Sequence, residues 1–154
     1  MKSTLLHVRR LAVAVALLVA VVAPQAASAQ SELDASEASA FMGEWTITLD
    51  APEGGRGAFE FPVELTDQDG KVAAKVGLPD FDGSGPGDPG DPVAVTDIAR
   101  SGEGLVLRYE YVFEAQGQLV PVSLTLTPSG EGLAAVFDIA DGAFILSGTG
   151  TRAN

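Results

Sequence analysis

From position 43 onward the chain alternates apolar and polar residues with a period of two, the pattern of strands that bury one face. Trp45, Ile47 and Leu49 alternate with Thr46 and Thr48, and Phe59, Phe61, Val63 and Leu65 alternate with Glu60, Glu64 and Thr66. Val72, Ala74 and Val76 make a shorter third row, and Val93 and Val95 a fourth. The fifth is the clearest: Leu105, Leu107, Tyr109, Tyr111 and Phe113 face inward, with Arg108, Glu110 and Glu114 outward. Val120, Val122, Leu124 and Leu126 form the sixth row, Leu133, Ala135, Phe137 and Ile139 the seventh, and Phe144 to Arg152 the eighth. Turn residues separate the rows, notably Pro52-Glu53-Gly54-Gly55, Ser101-Gly102-Glu103-Gly104 and Asp141-Gly142. Gln68-Asp69-Gly70-Lys71 reads as a tight hairpin, because Asp-Gly supplies the positive φ angles that such turns need.

Eight antiparallel strands with short connections predict an all-β domain, and an up-and-down barrel is its simplest form, since closure removes both exposed edges. A twisted β-sandwich is the alternative. A barrel of the outer membrane would need an apolar, lipid-facing exterior with aromatic girdles. Here one face of the strands carries Glu60, Glu64, Arg108, Glu110 and Glu114, so the polarity is that of a soluble barrel.

The residues before the strands read differently. Lys2, Arg9 and Arg10 precede an apolar run from Leu11 to Ala23, and Ala27-Ser28-Ala29 has the form of a cleavage site. Residues 1–29 are therefore expected to be an export signal, the run being too short for a comfortable membrane span. Residues 30–41 are polar and rich in Ala and Ser, a lead-in that is either a short helix or unstructured, and 42–154 form the barrel domain. Export would place the product in the periplasm or outside the cell, with no membrane insertion after cleavage.

Loss of the signal changes the charge. The chain has 9 Lys and Arg against 21 Asp and Glu, and the signal takes three bases and no acid, leaving six against 21, a net charge of −15. So acidic a surface repels nucleic acid and favours a soluble monomer. Cysteine is absent and the only histidine, His7, lies in the signal. This inventory excludes Ser-His-Asp and Cys-His nucleophilic sites, His- or Cys-bound zinc and His-ligated haem. No enzyme is expected, a carboxylate pair for glycoside hydrolysis being the mechanism that the inventory leaves open.

Two places could hold a ligand. The inward aromatics Phe59, Phe61, Tyr109, Tyr111 and Phe113 either fill the barrel or line a small apolar cavity, since eight strands enclose just enough room for side chains or one small molecule. Between the third and fourth rows runs a long loop, Leu78–Pro92. Its Asp80, Asp82, Ser84, Asp88 and Asp91, with Gly85, follow the spacing of a calcium loop, although the flanks are strands and Gly87 replaces an apolar residue. The plain alternative is a solvated Gly/Pro/Asp loop, with no cofactor.

Gly43-x-Trp45 on the first strand, the eight meandering strands and Arg152 near the end of the last together resemble the lipocalin-like (calycin) barrels of exported bacterial proteins. The segment Gly43-Glu44-Trp45-Thr46-Ile47-Thr48-Leu49-Asp50-Ala51-Pro52-Glu53-Gly54 is similar to small exported domains that also occur fused to amidohydrolase-type enzymes. The resemblance spans Phe41 to Arg152. It implies that Trp45 packs across one end of the barrel under a stacked Arg152, with Gly43 at the entry, a structural role rather than a binding one. The chain is shorter than a typical lipocalin, and lacks both the disulfide and the following helix. Periplasmic metalloprotease inhibitors share the Gly-x-Trp strand but carry a disulfide. The resulting expectation is a binding module for a small hydrophobic molecule, or alternatively a protein-binding accessory or inhibitor with no small-molecule ligand.

Overall fold

The computed structural model describes residues 31–50, 57–77, 92–113 and 118–153, the side chain of Phe113 excepted. The expected export signal, 1–29, and the five candidate calcium ligands Asp80, Asp82, Ser84, Asp88 and Asp91 lie outside the described residues. A 3-10 helix, Ala35–Phe41, leads into β1 (Gly43–Leu49), β2 (Phe59–Gln68), β3 (Lys71–Val76), β4 (Val93–Ala94) and β5 (Asp97–Ser101). The chain continues through β6 (Gly104–Phe113), β7 (Gln118–Ser129), β8 (Gly132–Ile139) and β9 (Phe144–Arg152). All belong to one antiparallel sheet in the order β4-β3-β2-β1-β9-β8-β7-β6-β5, so β9 returns beside β1.

The all-β expectation and its hairpins hold. Asp69 and Gly70 link β2 to β3 with φ of 54° and 83°, the mirror-image turn geometry that suits the twist of the paired strands. Asp67 steadies this turn by accepting the Gly70 amide at 2.7 Å. In β2 and β7 the alternation of buried and exposed positions follows the sequence pattern.

Two features differ from the expected eight-stranded barrel. The fourth row is not one strand but two, β4 and β5, which gives nine strands among the described residues. The cause is an exchange of partner at Val95-Thr96. Val95 donates its amide to Ala74 of β3 (3.0 Å), while Thr96 donates its amide to Arg108 of β6 (2.8 Å). The chain thus leaves one edge of the sheet and joins the other within two residues. As a result the hydrogen-bonded ladder is not closed: β4 and β5 are its edges, joined by the chain rather than by paired rungs.

The lead-in supplies further pairing. Ser31 donates both its amide (3.2 Å) and its hydroxyl (3.0 Å) to the carbonyl of Val72, Val72 donates to Leu33 at 3.0 Å, and Ala35 to Gly70 at 2.9 Å. Lys71 reaches Asp34 at 2.8 Å. The inward faces enclose one core that runs from Ala38 and Phe41 of the helix through Ile47, Phe61, Leu107, Leu124 and Phe137.

Candidate functional site

The two ends of this core are built differently. One end is capped. Gly43 has a φ of 113°, a conformation open mainly to glycine, which turns the chain from the helix into β1. A Cβ there would also stand 3.0 Å from Nη1 of Arg152. The guanidinium of Arg152 lies 4.4 Å from the centroid of the Trp45 ring, and Arg152 and Trp45 are direct partners across β9 and β1. Arg152 donates to Met42 O (2.9 Å) and Ala40 O (3.4 Å), and the indole of Trp45 donates to Phe41 O at 2.7 Å. These bonds satisfy carbonyls at the end of the helix that have no partner within it. The helix in turn presses Ala38 and Phe41 into the core, both essentially inaccessible.

The opposite end is a layer of larger, less enclosed side chains. Register places Tyr109 beside Val122, Val122 beside Ile139 and Ile139 beside Phe144, one inward row across β6, β7, β8 and β9. Tyr111 and Val120 stand one step further out and are half-buried, while Phe144 is 42% exposed. The next row inward, Ile98, Leu107, Leu124, Phe137 and Leu146, is fully buried. Phe61 packs edge-on against Phe137 with centroids 5.6 Å apart, beneath that layer.

Of the aromatics read from the sequence, Phe61 and Tyr109 are buried in the core, while Phe59 and Tyr111 pack half-buried against it. Phe113 ends β6. Ile139, read as ordinary core of the seventh row, and Phe144 complete the layer; Phe144 was missed, since the eighth row begins at a turn and offers little alternation to orient it. Val112 and Leu119 were missed as well. They form a cross-strand pair on the outer face and are 47% and 62% exposed.

Tyr109 sets this layer apart chemically. It is 2% exposed, and among the described residues its hydroxyl is the one buried side-chain polar atom with no hydrogen-bond partner. Burial pushes its acidity well below that of an ordinary phenol, so the group stays protonated. A half-open depression of about 330 Å³ lies over the outer face of β6, β7 and β8, the face opposite the Tyr109 side chain, and is lined by Thr96, Arg108, Glu110, Ser123, Asp138 and Asp141 among others. Arg108 is already held by Asp97 at 2.6 Å, and Asp138 accepts the Gly142 amide at 2.6 Å. A second depression of about 270 Å³, lined by Glu44, Thr46, Pro62, Glu64 and Lys75 among others, lies over β1, β2 and β3.

Among the described residues no group of three or more His, Cys, Asp or Glu side chains could hold a metal ion, and no helix is long and apolar enough to cross a membrane. Set against known protein families, curated proteins and solved structures, the chain matches none of them.

Proposed function

We propose that the chain is an exported β-barrel binding module that holds a small hydrophobic molecule at the end away from Trp45, with no catalytic step of its own. One observation carries the reading: the end capped by Trp45, Arg152 and the helix is filled, whereas the other ends in the half-buried aromatics Phe59 and Tyr111 and the exposed Phe144. Apolar surface left at the rim of a packed core is a place where a ligand gains by excluding water, about 25 cal/mol for each Å² covered. Barrel closure is part of the proposal. Val95 and Thr96 join the two sheet edges, and the lead-in fills the lower edge of β3, which supports a cylinder sealed by chain crossing as well as by rungs.

Titration with the neutral dye Nile red tests the reading, followed by amide chemical shifts. Binding should perturb β6 around Tyr111 and β9 around Phe144, and leave Gly43 to Thr46 unmoved. Saturable binding confined to the capped end, or none at all, rejects it.

A second reading has its own support. The paired Val112 and Leu119 put two aliphatic side chains on the outer face beside the β6–β7 connection, a surface suited to a protein partner. Capture of a periplasmic protein that Val112→Ser and Leu119→Ser together abolish would favour this accessory role over the carrier. Capture that survives both substitutions would reject it.

A further inference from the structure

Resting on the carrier reading, we infer that the molecule taken up is a neutral amphiphile, an aliphatic chain bearing an alcohol, ketone, ester or amide oxygen, and that Tyr109 Oη is the group that recognises this oxygen. A fatty carboxylate and an aliphatic ammonium are both disfavoured.

The argument begins with cost. A buried hydroxyl without a partner forgoes the hydrogen bonds it makes to water in the unfolded chain, a cost that a partner from outside the chain would remove. Phenylalanine would fill the same space at position 109 without that penalty. The neighbours of Tyr109 in its row, Val122, Ile139 and Phe144, contribute no polar side chain, nor does Val120 just outside it. Tyr111, paired with Val120 one step further out, has a hydroxyl of its own, so it is within the row itself that an entering oxygen meets a single donor, Tyr109.

Charge then selects. The described bases are committed elsewhere or face away: Lys71 is with Asp34, Arg108 with Asp97, and Arg152 lies over Trp45 at the far end, while Lys75 stands opposite Glu64 on the outer face of β3 and Arg100 donates to Glu103 O. A carboxylate would reach the layer with no cation to meet it. An ammonium would give up its hydration on entering the layer, which offers no carboxylate. A neutral head incurs neither penalty.

The test compares 1-octanol, n-octane, octanoate and octylammonium as displacers of Nile red from the full mature chain and from Tyr109→Phe. The expected order places 1-octanol about tenfold ahead of octane, the range of one neutral hydrogen bond, with both ions weaker than octane. In Tyr109→Phe the octanol advantage should vanish while octane binds as before, which also shows that the variant is folded. Equal binding of octanol and octane to the parent chain, tighter binding of either ion, or an octanol preference that persists in Tyr109→Phe would each overturn the inference while leaving the carrier intact. Failure of all four to displace the dye would overturn the carrier reading and this inference with it.

Discussion

Replacing Arg152 with alanine should destabilise the domain by about 2 kcal/mol. The guanidinium sits 4.4 Å from the Trp45 centroid, a geometry worth about 0.5–1 kcal/mol when the cation is partly solvated. Its bonds to Met42 O and Ala40 O add about 1 kcal/mol or slightly more, the 3.4 Å contact contributing least. The sum corresponds to a roughly thirtyfold rise in the unfolded fraction and, for a domain this size, a fall in Tm of about 8 °C. Arg152→Lys keeps the charge but not the planar fork that serves ring and carbonyls at once, so it should lose about half as much.

Urea unfolding followed by tryptophan emission is the direct assay, because Trp45 is the only tryptophan in the chain. The indole should stay buried in the variant, so the midpoint moves while the native spectrum changes little. Arg100→Ala is the control, since Arg100 is exposed and bonds only to the Glu103 carbonyl within its own hairpin, and it should change stability by less than about 0.5 kcal/mol. If Arg152→Ala falls in the same range as that control, the cap contributes no stability and the argument for a filled end is wrong.

Gly148→Ala should cost about 3 kcal/mol or prevent folding, read by circular dichroism melts, because its Cβ would stand 2.1 Å from the backbone oxygen of Thr48, which cannot move without parting β1 from β9. Phe61→Ala should cost about 3–5 kcal/mol, and a double-mutant cycle with Phe137→Ala in denaturant should return about 1 kcal/mol of coupling from their edge-on contact. Alkaline titration should show Tyr109 by absorbance: burial raises its pKa above the ordinary 10, so the folded chain keeps a proton that the unfolded chain sheds. The stability linked to that proton is whole below pH 10 and declines as pH rises further, a decline that Tyr109→Phe should remove from melts taken above pH 10.

The strands were legible because their signal is local. In β6 each residue from Leu107 to Glu110 declares its face by its own polarity, and Asp69-Gly70 declares a turn by the φ angles it permits. The break between Val93 and Ile98 was not legible. It depends on which strand accepts each amide; the alternation does slip there, with Val95 and Ile98 both buried but three positions apart, yet one such slip does not say that the chain changes partner. The capped end could be anticipated as a pairing of Trp45 with Arg152, but not the service of the helix carbonyls by those two side chains, which needs the helix placed against β9. For the candidate site, the sequence singled out Tyr109 without its isolation. An orphaned hydroxyl is defined by what surrounds it, and Val122 and Ile139 come from rows that read as ordinary core.

The lead-in and β4 divide one task between them. The edge of β3 that faces away from β2 presents outward-pointing peptide groups at Gly70, Val72, Ala74 and Val76. The upper part is met by Val93 and Val95, and the lower part by Ser31, Leu33 and Ala35. Neither segment is long enough to cover the edge alone: β4 has two residues, and the lead-in departs into the helix at Ala35. A bare edge invites pairing with another chain, so this split cover protects the sheet where one longer strand in place of β4 would otherwise be required. It also explains why Ser31, polar and early in the described chain, is 7% exposed with both its donors on Val72. The segment before the helix therefore belongs to the fold rather than to a tether, and the helix it feeds is held in place from both sides, by β3 before it and by Arg152 after it.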